Sequence, residues 1–118
     1  MTSSIEAAET ASNALTAQGK MIDSIDQFFA DDCVFVEHDG SSRTSKKDQI
    51  AYLEGFFASL KSFESATLHG QAIGDNFSVS VWTFKMTAGD GTPMVWNEAL
   101  VRDWRDGKIV SEKYYTQA

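Results

Sequence analysis

A chain of 118 residues is long enough for one hydrophobic core and too short for two, so a single domain over residues 1–118 is expected. Its 42% apolar and 23% charged residues exclude the disordered, collagen-like and coiled-coil classes. Ten basic against seventeen acidic residues give a formal net charge of −7, which disfavours nucleic acid and anionic membrane surfaces as partners.

The first ten residues, MTSSIEAAET, carry acids where a secretory leader would be basic, and no later segment is apolar for long enough to span a bilayer, so a cytoplasmic location is expected. After Ser3 and Ser4, the spacing of Ile5, Ala8, Ala11 or Ser12, and Leu15 predicts a first helix ending near Gly19. A second begins around Met21, where Ile22, Ile25, Phe28 and Phe29 form an apolar stripe, and is expected to end at Asp31 and Asp32.

Cys33 to Glu37 reads as a strand, and Asp39-Gly40-Ser41-Ser42 as the turn after it. Cys33 is a single cysteine in an apolar stretch, which reads as a small buried hydrophobe. Ser45 is the expected N-cap of a third helix, with Asp48 at its third position and Ile50, Leu53, Phe56, Phe57 and Leu60 on one face. Four strands follow, Phe63 to Ile73, Phe77 to Thr87, Met94 to Trp104 and Ile109 to Tyr115, and their short Gly-rich connections predict antiparallel pairing. The expected class is α+β: a cone-shaped half-barrel with three N-terminal helices packed on a strongly curved, mostly antiparallel sheet that encloses a pocket. Its mouth is expected where Glu37 leaves the first strand.

Three stretches in this order, Phe29-Ala30-Asp31-Asp32 leading into a strand, a helix ending Gly55-Phe56-Phe57, and the hairpin Arg105-Asp106-Gly107-Lys108-Ile109-Val110, resemble the nuclear transport factor 2-like superfamily. Within it the chain is similar over almost its whole length to the SnoaL-like branch of polyketide cyclases and to ketosteroid isomerase. The resemblance implies a deep pocket and a homodimer formed through the outer sheet face. It also aligns Glu37, the fifth residue after Asp32 and three before Gly40, with the isomerase's proton-abstracting Asp. The isomerase's hydrogen-bonding Tyr falls between Ala11 and Asn13, where no Tyr stands, and its protonated Asp falls on Ala99 or Leu100. Without those donors a steroid enolate would go unstabilised, which excludes ketosteroid isomerase activity.

Glu37 is the candidate general base, and strand alternation turns His38 to the opposite face. Matching the final hairpin turns the even residues of the fourth strand inward, Trp96 and Glu98 among them, with Arg102 able to pair across strands with Glu112. Asn97 joins the pocket-lining candidates because a one-residue slip would exchange the faces. On the last strand Glu112 and Tyr114 look inward, Tyr114 as a donor to a substrate oxygen. Trp82 and Phe84 share a face of the third strand and are expected pocket walls; His69, midway along the second, is a further pocket candidate.

The catalytic candidates are thus Glu37, Tyr114 and Glu98, with no metal-ligand spacing, phosphate loop or cofactor fingerprint and hence no expected cofactor. The first functional reading is an acid–base enzyme of isomerase, cyclase or dehydratase type acting on a small apolar carbonyl-bearing molecule. The alternatives are a non-catalytic binding domain for a hydrophobic ligand, and a dimerisation module.

Overall fold

The computed structural model describes residues 4–117. In chain order these form helices α1 (Ser4–Ala17) and α2 (Met21–Phe28), strands β1 (Phe29–Val36) and β2 (Ser42–Thr44), helix α3 (Lys46–Ser59), and strands β3 (Leu60–Ile73), β4 (Phe77–Ala88), β5 (Pro93–Arg105) and β6 (Lys108–Thr116). Ser3, read as preceding the first helix, lies outside the described residues. Among the described residues no helix is long and apolar enough to cross a membrane.

Helix α1 stops as expected near Gly19. Gly19 takes φ +81°, a left-handed conformation that glycine adopts without a Cβ penalty, and this lets Gly19 N–H donate to Thr16 O and Lys20 N–H to Leu15 O. The chain reverses there and enters α2, whose Ile25 seals into the core.

The second helix is shorter than the sequence predicts. It ends at Phe28, and Phe29 is already extended (φ −102°, ψ 144°) as the first residue of β1. Asp31 and Asp32 therefore lie in a strand, and the pairing of β1 with β6 explains how a strand tolerates them: Phe29 aligns with Ile109 and Val34 with Ser111, so the residues between bulge out of register. The two exposed acids occupy that bulge, while Phe29, Cys33 and Phe35 stay buried and the rings of Phe29 and Phe35 stack at 5.5 Å.

The predicted turn overlaps β2 at Ser42, and a strand of three residues is too short to show alternation in sequence. Asp39 is the turn former expected, its carboxylate accepting from Ser41 N–H and Oγ at 2.9 and 2.7 Å. The Ser45 hydroxyl caps α3 by accepting from Asp48 N–H at 3.0 Å. β3 begins at Leu60, three residues before the predicted Phe63, because α3 passes into it with no intervening loop.

The six strands form one sheet in the order β2-β1-β6-β5-β4-β3. All neighbours are antiparallel except β1 and β6, which are far apart in the chain and so free of any hairpin constraint. The β5–β6 hairpin turns through Asp106 (φ 53°) and Gly107 (φ 78°), the paired positive φ values of a type I′ turn. β3 carries three register irregularities against β4, which let a strand of 14 residues bend. The result is the expected α+β half-barrel, with the helices filling the inner side of a curved, unclosed sheet.

Two core clusters follow from this. One joins Ile25, Phe29, Phe35, Leu53, Trp104 and Ile109 around β1, and the other joins Trp82, Phe84, Met86 and Leu100 on β4 and β5. The indoles of Trp82 and Trp104 would each bury an unpaired N–H, and each instead donates to an inward serine, Ser80 at 2.8 Å and Ser78 at 2.9 Å. Burial pushes the Cys33 thiol up to about 12, with the nearby Glu112 carboxylate adding to it, so the residue is a core hydrophobe and not a nucleophile.

Candidate functional site

A cavity of about 80 Å³ lies between the helices and the inner sheet face. Its sheet side presents Phe63, Phe84, Met86, Trp96 and Leu100; its helix side presents Met21, Ile25, Leu53, Phe56 and Phe57. Phe56 of α3 stacks on Trp96 of β5 at 5.4 Å, so the helix and the sheet close the aromatic part of the cavity against each other.

The polar groups concentrate on the β1, β5 and β6 side. Glu98 on β5 lines the cavity, with Thr116 Oγ1 donating to its Oε2 at 2.9 Å. Burial disfavours its charged form and raises its pKa against the opposing effect of the Thr116 hydrogen bond, and the charges of Glu37 and Glu112 raise it further. Glu37 stands just past the end of β1, where its N–H donates to Ser41 O at 2.8 Å across the β1–β2 hairpin. Its carboxylate also lines the cavity and pairs with Arg43 of β2 at 2.7 Å. Arg43 itself stacks 3.7 Å over the ring of Tyr52.

From Glu37 a chain of hydrogen bonds runs inward. Arg43 Nε donates to Gln49 Oε1 at 2.5 Å, Gln49 Nε2 donates to the Tyr114 hydroxyl at 3.2 Å, and that hydroxyl donates to Glu112 Oε1. Glu112 Oε2 accepts from Arg102 Nε at 2.6 Å, and Arg102 Nη1 donates to Glu9 Oε1 of α1 at 2.8 Å. Ser12 and Asn13 also accept from Arg102, at 3.1 and 3.3 Å. Burial alone would disfavour the Arg102 cation, but the Glu112 and Glu9 carboxylates outweigh it and hold the guanidinium above its ordinary range. For Tyr114, burial and the adjacent Glu112 charge push the phenol well above its usual value.

Glu37, Glu98, Tyr114, Glu112, Phe84 and Trp96 all line the cavity, in the arrangement that turns the even residues of β5 inward. Tyr114 spends its proton on Glu112, so it positions that carboxylate and is not a ready donor to a ligand. The cross-strand pairing of Arg102 with Glu112 is present as read from the strand register.

Trp82, Asn97 and His69 are not among the lining residues. Trp82 points inward but lies stacked on Phe84 at 5.5 Å and is fully buried as packing. Asn97 and His69 fall on the outer sheet face, because the one-residue slip does not occur and because β3 presents His69 to Thr83, whose hydroxyl also donates to Asn97 at 2.7 Å.

Sequence reasoning passed over Glu9, Arg43 and Gln49. Gln49 was findable: it lies four residues before Leu53 and seven before Phe56, on the stripe that faces the cavity. Glu9 and Arg43 carry no such signal, since their partners are distant in sequence. Ser12 and Asn13 occupy the stretch where the isomerase's Tyr would fall, and here they serve Arg102 instead. Among the described residues no group of three His, Cys, Asp or Glu is placed to hold a metal ion.

This arrangement, an inward cavity between three helices and a curled six-stranded sheet, is matched in sequence over residues 10–112 by the SnoaL-like domain. The chain belongs to the SnoaL-like family. Among solved structures, a Mesorhizobium loti protein named for the SnoaL-like polyketide cyclases superposes with TM-score 0.86 at 18% identity, over 98% of this chain and 99% of that one. TerC, co-crystallised with polyporic acid, gives TM-score 0.80 at 17% identity, over 98% and 92%. A Catenulispora acidiphila protein of ketosteroid isomerase-like fold, in complex with trimethylamine, gives TM-score 0.75 at 16% identity, over 90% and 82%. At these identities the likeness to the structures is one of fold. No curated protein matches the chain.

Proposed function

We propose that this SnoaL-like domain is an acid–base enzyme acting on a small, largely apolar, carbonyl-bearing molecule, with Glu98 as the proton-transfer group and Glu37, held by Arg43, as the second acid at the site. The observation that carries the reading is Glu98: a carboxyl whose charged form is disfavoured by burial, in a cavity that sets a few polar groups against walls of aromatic and aliphatic side chains. A raised carboxyl pKa moves the group toward the working pH, which is where a carboxylate becomes an effective base for removing a proton beside a carbonyl. The aromatic walls supply the apolar fit, and the Gln49 amide, which gives one N–H to Tyr114, has a second for the substrate oxygen.

The test is deuterium incorporation from heavy water at the α-carbon of a panel of ketones and enones, followed by NMR. Wild-type protein is expected to accelerate exchange for some members, and Glu98→Gln to lower that rate by a factor of about 100 or more. Binding of panel members with no exchange would favour the second reading, a non-catalytic carrier of a hydrophobic ligand, and exchange indifferent to Glu98→Gln would take the proton-transfer role from Glu98. That reading draws on the saturation of Glu112 and Tyr114 by their own neighbours, which leaves little polar capacity for a ligand.

The outer sheet face supports a homodimer. Val95 and Tyr115 are 56% and 57% exposed, and the register Tyr115–Ala99–Val81 runs an apolar band across β6, β5 and β4. A second copy of the same band is the partner of matching chemistry.

A further inference from the structure

Beyond the cavity that holds Glu98, a second one of about 440 Å³ opens where the α1–α2 turn, the end of α3 and the start of β3 meet. Gly19, Leu60, Lys61 and Ser62 belong to it alone, while Thr16, Met21, Phe57 and Phe63 border both cavities. Two of these four are rings packed edge to face at 5.7 Å, and a third, Met21, is an unbranched thioether that changes rotamer at small cost. The partition between the cavities is therefore soft and, Thr16 apart, apolar. The far side is different: among the described residues the Lys61 ammonium makes no hydrogen bond or ion pair, in a protein whose net charge is −7.

We propose that the ligand is an elongated amphiphile, its carbonyl-bearing head in the first cavity beside Glu98 and its unbranched apolar tail passing Met21 into the second, where an anionic terminus meets Lys61. The proposal rests on the reading of the first cavity as a carbonyl site and adds the substrate class to it. A small ketone would leave the second cavity unused, and a tail that follows Phe57, Phe63 and Leu60 would bury apolar surface along its whole length. A carboxylate at the end of that tail gains the Lys61 charge without entering the low-dielectric interior.

The experiment is a binding series of straight-chain methyl ketones, from shorter than the first cavity to longer than both together, each with a methyl or a carboxylate end. Binding is read by calorimetry, with matched fatty carboxylates that lack the carbonyl. Wild-type affinity is expected to rise about fourfold per added methylene until both cavities are filled. Ser62→Trp and Leu60→Trp, each of which puts an indole into the second cavity from the start of β3, are expected to stop the rise at the length that fills the first. Lys61→Gln is expected to keep the rise and abolish the preference for the carboxylate end. A wild-type plateau at the same length as the plugged variants overturns the tail subsite. Equal affinity for both ends overturns the role of Lys61. Long carboxylates that bind while no ketone does leave the tail subsite standing and overturn the carbonyl site instead.

Discussion

Arg102 on β5 donates through Nε to Glu112 on β6 at 2.6 Å, and both side chains are almost wholly out of water, at 3% and 4% exposure. Glu9, fully buried on α1, takes the other arm of the guanidinium at 2.8 Å, so one cation ties the first helix to the last two strands. Removing water from three charges is costly, and what keeps the arrangement is that the charged oxygens are answered by Arg102, Asn13 and Tyr114.

Deleting the cation should therefore cost far more than the net worth of the pair. Arg102→Ala leaves Glu9 and Glu112 buried without their counter-charge, and urea unfolding at pH 7 is expected to show a loss of about 3–5 kcal/mol, a large share of the roughly 5–15 kcal/mol that holds a domain together. A loss below about 1 kcal/mol would mean that water reaches the two acids and that the cluster is not the internal clasp described above.

Tyr114 is the link between that cluster and the cavity. Tyr114→Phe keeps the ring but removes the hydroxyl, which leaves Gln49 Nε2 and Glu112 Oε1 without it, and is expected to destabilise by about 1–3 kcal/mol. Since burial and Glu112 hold the phenol protonated well above its usual range, the pH profile of any turnover should have the same inflections in wild type and Tyr114→Phe. An alkaline limb that disappears in the variant would make the phenol itself a titrating participant.

The fold was legible because its signals are local: Gly19 and Ser45 end and start helices by backbone chemistry, and Arg105-Asp106-Gly107-Lys108 sets the β5–β6 register, which turns Trp96 and Glu98 inward. The inner edge of β1 was less legible. An acid pair after an amphipathic helix reads as a helix end, and only the pairing of Phe29 with Ile109 reveals that Asp31 and Asp32 sit in a bulge. The cavity was legible in its walls and much less so in its wiring. Arg102–Glu112 follows from strand register, but Arg102–Glu9 joins residues 93 positions apart, and no periodicity in either segment reports that contact. His69 and Asn97 misled for a related reason: a polar residue in an apolar strand carries no mark of which face it will take until the neighbouring strand is fixed.

The proposed dimer is tested on the outer face without touching the cavity. Val81→Lys and Val95→Lys each place a charge in the apolar band, with Lys85 already opposite Val95 as a like charge. Light scattering at micromolar concentration is expected to give the mass of two chains for wild type and of one for the double variant, with the dissociation constant rising about tenfold for each 1.4 kcal/mol lost. A wild-type monomer at that concentration would sink the dimer.

The last prediction concerns the acid on which the proposed chemistry depends. Burial raises the Glu98 pKa in the folded chain above the ordinary 4.5 of a glutamate, so between that value and the folded pKa the native state binds more protons than the unfolded one. Stability contributed by this group therefore falls as pH rises through that window, and above the folded pKa the full penalty of an unfavourably placed carboxylate is present. Glu98→Gln is nearly isosteric and its amide oxygen still accepts from the Thr116 hydroxyl, so it should stabilise the protein by about 0.5–2 kcal/mol at pH 7.5, the range common for relieving one unfavourable group. The gain should vanish below about pH 4.5, where the wild-type carboxyl is protonated in both states. Glu37→Gln should move the other way, losing the part-exposed Arg43 pair for no more than about 1 kcal/mol. Denaturation series at several pH values decide the matter. If Glu98→Gln destabilises at pH 7.5, or if its effect is the same at every pH, Glu98 is an ordinary solvated acid, and the cavity holds a ligand without transferring its proton.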